Sequence, residues 1–371
     1  MLDEDEDGEL HEYNDANIFA VSVVPLRLSE ETKSIHQKTV WNNDNPSSIG
    51  LCRPKSLVFE KESSLLTNRV VSKMYAEIEE LKPTKIGAVS VRTKMCFTMV
   101  DTKVINDLSN THSQLCYICK RSGKKLNLAI ESVDSDDPGI YKFGISPLHA
   151  YIRSMELMLK ISYRLSMSKP TWKVSKKNTE VKQREENIRS ALKEQLGLRI
   201  SEPRPGGGNS NSGNVARRFF QERDEVSKIT GLDGNLLERF FVILSLINSR
   251  AEIDVAAYKN YAEETRLMYD NLYGWYALSP TVHKLLVHGA AIIQHSLLPI
   301  GMFSEEAGES RNKSIRKFRE GHARKFNREV NMEDVFKRLL FTSDPVISLT
   351  NRKKVCFSEL RLPEHVKHLI L

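Results

Sequence analysis

Two pairs of residues have the types and the spacing to do chemistry together. Cys116 and Cys119 bracket "CYIC", and His283 and His288 bracket "HKLLVH". Two thiolates and two imidazoles make a complete tetrahedral set for zinc, and both spacings fall in the range that structural sites use. The long sequence between the pairs would make such an ion a clamp joining distant helices. One geometric obstacle stands out. Five residues along an ideal α-helix turn by about 500°, which leaves the two histidines some 140° apart. Joint ligation therefore requires an irregular first turn near Pro280. On spacing alone the alternatives are a buried cysteine pair and helix histidines satisfied by hydrogen bonds.

A second pair is acidic. Asp101 closes "FTMVD", and Glu309 sits in "SEEAGESRNKSIRKFRE" (304–320). A carboxylate leaving a strand and another on a late helix can hold Mg²⁺ for phosphodiester chemistry. With 48 Asp and Glu residues in the chain, such pairings are many. Asp101 as a strand end or N-cap, and Glu309 as a helix-dipole partner or an i,i+4 mate of Lys313, remain open. The stretch after Glu309 is strongly basic: Arg311, Lys313, Arg316, Lys317, Arg319, Arg324, Lys325 and Arg328 against Glu320 alone.

The elements that must position these residues change character along the chain. "IFAVSVVPLRL" (18–28), "KTVWN" (38–42) and "SLVFE" (56–60) read as strands. "SSLLTNRVVSKMYAEIEELKP" (63–83) keeps apolar residues at helical spacing and stops at Pro83. "KIGAVSVRTKMCFTMVD" (85–101) returns to strand character, so the first hundred residues read as α/β. Beyond them the chain is mostly helical, over 147–165, 180–198, 232–249, 255–273, 281–297, 304–322 and 331–342. "EPRPGGGNSNSGN" (202–214) is the clearest flexible segment.

At 371 residues the chain can hold roughly two to three domains. Its 40% hydrophobic and 28% charged content is that of a soluble globular protein. No run of about eighteen apolar residues exists, so no membrane span is expected. The acidic start, "MLDEDEDGELHEYNDAN", lacks the basic and apolar regions of a signal peptide. Five cysteines, an odd number, argue for a reducing compartment and against a disulfide framework. A net charge of +7 points to a polyanionic partner.

Eight blocks extend these readings: "FAVSVVPLRL", "LCRPKSLVFEKES", "TMVDTKVIND", "CYIC", "ISPLHAYIRSMELMLKISYR", "GNVARRFF", "HKLLVH" and "LPIGMFSEEAGESRNKSIRKFREGHARK", followed by "MEDVFKRLLFTS". In this order, from about residue 18 to 345, they resemble the catalytic core of Transib-family DNA transposases, the group related to the catalytic subunit of the V(D)J recombinase. The resemblance implies an RNase H-like α/β core with a large, mostly helical, zinc-bound insertion. It implies zinc on Cys116, Cys119, His283 and His288, and catalytic Mg²⁺ or Mn²⁺ on Asp101 and Glu309, with Glu306 the weaker alternative to the latter. Asn214, Arg217, Arg218, Lys313 and Arg316 become expected DNA contacts. Double-stranded transposon-end DNA, a homodimer and a nuclear location are implied in the same way.

The domain reading is an acidic, disordered lead-in over 1–17, an RNase H-like part over 18–110 and a zinc-binding insertion over 111–298. A catalytic-Glu helix with its successor comes next over 299–345, then a tail over 346–371. The departure from the family lies at the front. The family's first catalytic Asp belongs to an Asp-Gly segment well ahead of the "PLRL" strand, and neither Asp5 nor Asp7-Gly8 sits in a matching context. The expectation is therefore a core truncated before its first catalytic Asp and weak or inactive alone. The other readings are a noncatalytic DNA-binding derivative and a zinc-stapled helical interaction module.

Overall fold

The computed structural model describes residues 3–4, 10–11, 18–30, 38–96, 102–129, 138–171, 178–201, 211–350 and 362–371. Asp5, Asp7 and Asp101 lie outside them. The chain is mixed α/β and mostly helical, with small antiparallel sheets. It divides into two compact units, one from residues 1–108 and 304–358 and the other from 109–303 and 359–371.

In the first unit, β1 (Ile18–Val23) is followed by β2 (Arg27–Ser29), β3 (Thr39–Asn42) and β4 (Arg53–Phe59). The single strand expected over 18–28 is two, because Pro25 between them has no N–H to give a ladder. The buried Asn43 side chain holds that break, donating to the Pro25 carbonyl at 2.9 Å. β1 and β4 pair antiparallel, Ile18 opposite Phe59 and Ala20 opposite Leu57, with a register shift between Val21 and Ser22. α1 (Ser64–Glu79) begins where the Ser63 hydroxyl accepts from the Leu66 N–H. The strand expected over 85–101 is instead a hairpin, β5 (Thr84–Ile86) with β6 (Val89–Val91), and residues 97–101 lie outside those described. α2 (Thr102–Leu108), which the sequence did not announce, is tied to α1 by Asp107, whose carboxylate accepts from Ser64 and Thr67.

α11, as the helix Glu306–Gly321 is numbered in chain order, buries Ala307, Arg311, Ile315 and Arg319, a stripe at i,i+4 spacing. Ile315 packs with Val335 and Leu339 of α12 (Arg328–Thr342), and Ile18 and Leu57 close the cluster. Arg311 is thus not part of a solvated basic face. It is 2% exposed and donates to the Cys52 carbonyl at 2.9 Å, the Thr342 hydroxyl at 2.8 Å and the Ile49 carbonyl at 2.6 Å. Burial pushes its pKa below the ordinary arginine value. The opposite face exposes Glu309, Lys313, Arg316, Lys317 and Glu320, with Arg316 paired to Glu320 at 2.8 Å.

In the second unit, α3 (Pro147–Ser162), α4 (Thr179–Leu196), α5 (Gly213–Gln221), α6 (Arg223–Thr230), α7 (Gly234–Asn248) and α8 (Val255–Tyr273) surround an aromatic and aliphatic core. Side-chain N-caps set most of their starts, at Ser146, Asn178, Ser212, Asp233 and Asp254. Phe219, Phe220, Phe240 and Tyr258 are fully buried in the core. Among the described residues, no single helix is long and apolar enough to cross a membrane.

Substitutions on the two faces of α11 test this packing. Arg311→Ala leaves three acceptors without their donor and should cost on the order of 3 kcal/mol in urea unfolding. Lys313→Ala, on the exposed face, should change stability by less than about 0.5 kcal/mol. Arg324 donates to Asp334 from its backbone N–H and its guanidinium, holding that carboxyl well below the usual carboxylate range. A depressed carboxyl contributes stability above its ordinary titration range, and that contribution is lost as pH falls through the folded value. Asp334→Asn should therefore flatten the acid limb of a plot of Tm against pH; an unchanged limb would contradict the pairing.

Candidate metal centre

Residues 115–123 form a tight knuckle in the second unit. Leu115 pairs with Ser122 in an antiparallel bridge, the Cys116 N–H donates to the Arg121 carbonyl at 2.9 Å, and the Lys120 N–H returns to the Cys116 carbonyl at 2.8 Å. Lys120 turns the chain at φ +56°, a conformation that costs a side-chain-bearing residue roughly 1 kcal/mol. The result aims both sulfurs to the same side.

The histidines arrive on a helix of mixed geometry. Ser279 caps it and Pro280 opens it, so α9 (Pro280–His283) is a regular first turn. The irregularity expected at Pro280 lies further on: Lys284–His288 is a π-turn, after which α10 (Gly289–His295) resumes. π-type hydrogen bonding joins residue i to i+5, which is the separation of His283 and His288. The 140° mismatch of an α-helix is thereby reduced, and the two rings meet edge to face with centroids 5.0 Å apart.

Such a turn pairs each carbonyl one residue further along than an α-helix does, and a side chain adds a donor here. The Leu285 carbonyl accepts from the buried Tyr258 hydroxyl at 3.1 Å. Tyr258 reaches it because residue 289 is glycine: a Cβ there would lie 2.7 Å from the Tyr258 ring and 2.7 Å from its hydroxyl.

The four ligand atoms of Cys116, Cys119, His283 and His288 all lie within 4.8 Å of one another. Cys119 Sγ and His283 Nε2 are 3.3 Å apart, close to the roughly 3.5 Å that tetrahedral zinc sets between a thiolate and an imidazole ligand. His283 Nδ1 is 2.6 Å from the Leu126 carbonyl. An acceptor there requires the proton on Nδ1 and leaves the Nε2 lone pair for a metal. His288 Nε2 is buried and has no hydrogen-bond partner among the described residues, a cost that a metal bond removes. The group can hold a metal ion and is compatible with zinc.

Without an ion, the surroundings favour one thiolate of the pair. Cys116 is held well below the ordinary thiol value, first by the hydrogen bond from Cys119 and then, against desolvation, by the two histidines. Cys119, as the donor, is held up. Tyr117, 3% exposed, is raised by burial and by the neighbouring thiolate. The Lys284 ammonium sits 4.7 Å from the Tyr117 ring centroid.

A buried polar hub fixes the knuckle to the helix. Asn127, next to the Leu126 that orients His283, donates to the Tyr276 carbonyl at 3.0 Å and accepts from the Leu278 N–H at 2.8 Å. Arg266 donates from Nη1 to the Asn127 carbonyl at 2.7 Å and pairs with Glu263 through Nε and Nη2. Sequence reasoning missed Tyr258, Leu126, Asn127 and Arg266. Only Gly289, directly after His288, left a mark that could have been read.

The remaining expected site residues fall on α5, on α11 or outside the described residues. Asp101 lies outside the described residues. Glu309 is exposed on the first turn of α11, its N–H bonded to the Glu305 carbonyl at 3.1 Å, and Glu306 is half-buried. Lys313 and Arg316 lie on the same exposed face. Asn214 is exposed on the first turn of α5. Arg217 lies over the Tyr151 ring at 5.4 Å, and Arg218 donates to the Leu196 carbonyl at 2.6 Å. No protein-family model matches the chain, and no curated protein matches it.

Gly289→Ala should displace Tyr258, break the π-turn and cost about 1–3 kcal/mol of overpacking. Its check is thermal unfolding with and without a chelator. The chelator should lower Tm in the wild type and have little further effect in Gly289→Ala, whose site is already disordered. An equal chelator-induced shift in both would contradict the role given to the π-turn.

Proposed function

We propose that the chain is the catalytic core of a DDE-type DNA transposase of the Transib kind, acting on double-stranded transposon-end DNA as a homodimer in the nucleus. In this reading the first unit is an RNase H-like core and the second is the helical insertion stapled by zinc. The observation that carries it is the Cys₂His₂ group, in which two motifs 164 residues apart in sequence come within ligand distance. The motifs belong to the ordered series of blocks on which the resemblance rests. Zinc here is structural: four protein ligands leave no open position for substrate.

Catalysis would rest on Asp101 and Glu309 as ligands of Mg²⁺ or Mn²⁺. Glu309 supports the assignment by its exposure on a helix whose buried face is anchored by Arg311. When bound, the metal would supply alignment of a water or 3′-hydroxyl with the scissile phosphate and stabilise the leaving oxygen. Lys313 and Arg316, on the same face as Glu309, would position the DNA backbone. Arg218 spends one donor on Leu196, and a guanidinium carries five. Asn214, Arg217 and Arg218 would thus form a second backbone contact on the other unit.

A second reading, a zinc-stapled helical interaction module, draws on a different fact: the metal group and its supporting hydrogen bonds all lie within the helical unit. DNA binding separates the two. The transposase reading is tested by strand nicking of labelled terminal-repeat DNA in Mn²⁺. The assay compares the chain, a version extended by the coding sequence upstream, and Glu309→Gln in each. Nicking by either form should fall about 100-fold or more in Glu309→Gln, as loss of roughly 3 kcal/mol of transition-state stabilisation requires. Nicking that survives Glu309→Gln, or none from either form, would overturn the catalytic assignment.

A further inference from the structure

Among the described residues, the hairpin β5–β6 stands out for its exposure. Every residue from Leu81 to Ser90 is exposed, including Ile86 at 65% and Val89 at 62%. A lone two-stranded hairpin is marginally stable in water, and apolar side chains at its tip add an unfavourable surface. The turn itself is well made. Gly87 and Ala88 form a two-residue loop between Ile86 and Val89, with Gly87 at φ +59° in the first central position, as a type II′ turn requires.

The register sorts the ribbon by face. Thr84 lies opposite Val91, Lys85 opposite Ser90 and Ile86 opposite Val89. Alternation along each strand then puts Ile86, Val89, Thr84 and Val91 on one face and Lys85 with Ser90 on the other. Charge is biased along the same segment. Lys82, Lys85, Arg92 and Lys94 are exposed, and from Leu81 to Val100 the sequence contains no acidic residue. An apolar tip on a two-stranded ribbon whose charges between Leu81 and Val100 are all cationic has a specific complement. The DNA major groove admits a two-stranded ribbon, its phosphates attract the flanking cations, and apolar side chains of DNA-binding proteins can wedge between base steps.

We infer that the hairpin Thr84–Val91 is a DNA-binding ribbon, distinct from the expected contacts on α5 and α11, that takes duplex DNA. Ile86 and Val89 enter the groove, and Lys82, Lys85, Arg92 and Lys94 hold the flanking phosphates. The inference rests on the DNA reading above and adds a site to it.

The test is fluorescence-anisotropy titration of the full chain with a labelled duplex of about 30 base pairs, long enough to span two half-sites, over a range of salt concentrations. Four proteins are compared: wild type, Lys82→Ala/Lys85→Ala/Lys94→Ala, Ile86→Ser/Val89→Ser, and Lys228→Ala as an exposed control on the other unit. Each lost phosphate contact lowers the slope of log K against log salt by about 0.9. The triple lysine variant should therefore lose about 2–3 from the slope and bind about 10- to 100-fold more weakly. The Ile86→Ser/Val89→Ser variant should bind about 10-fold more weakly with an unchanged slope, and Lys228→Ala should match wild type. Sedimentation of the same proteins reads their assembly state. Wild-type DNA binding that both hairpin variants retain overturns the ribbon while leaving the DNA reading intact. So does a change of assembly state in Ile86→Ser/Val89→Ser with unaltered DNA affinity, which would make the tip a protein contact. No DNA binding by wild type overturns the ribbon and the DNA reading together.

Discussion

Side chains five residues apart on an α-helix face different ways, and the metal group depends on the chain giving up that geometry between His283 and His288. The π-turn over Lys284–His288 brings both imidazoles to one side. It requires a hydroxyl for the Leu285 carbonyl, which Tyr258 supplies, and a residue without a Cβ beside that ring, which is Gly289. It also requires the opposing knuckle to be held, through Leu126 on His283 and Asn127 on the loop before α9. Remove the π-turn and the two ligand pairs, far apart in sequence, no longer come within ligand distance. Packing alone would then have to hold the knuckle against the helix.

The first unit has a counterpart in Arg311. A guanidinium with three buried acceptors is a rigid strut, because its planar fork loses little further freedom when its hydrogen bonds form. It ties α11 to the loop at Ile49–Cys52 and to the end of α12, and so fixes which face of α11 looks outward. Glu309, Lys313 and Arg316 are exposed because Arg311, Ile315 and Arg319 are not. The chemistry proposed for the outer face therefore depends on a charge spent on the inner one.

Much of this was legible in the sequence, and the gaps have physical causes. The long helices were readable because their apolar stripes and side-chain caps are local signals. The two candidate ligand pairs were readable from residue type and spacing. The π-turn was not, since it arises where tertiary packing by Tyr258 outweighs the preference of "HKLLVH" for α geometry. Arg311 looked like one more charge in a basic run, because burial of a cation depends on carbonyls 259 and 262 residues away. The strand expected over 85–101 failed at Gly87, where a positive φ turns an apolar run into a hairpin. α2 and α6 were missed because seven or eight residues carry too few helical periods to read.

In the helical unit the knuckle and the π-turned helix together present four ligand atoms that can hold one metal ion. The most direct measurement is a Co²⁺ titration of the metal-stripped chain followed by optical absorption, in wild type and in His288→Ala. A single Co²⁺ should bind with the intense visible bands of a tetrahedral site and with thiolate-to-metal charge transfer, be displaced by Zn²⁺, and lose its tetrahedral spectrum in His288→Ala. Weak octahedral bands, or a spectrum that His288→Ala leaves unchanged, would mean that the two pairs do not share an ion.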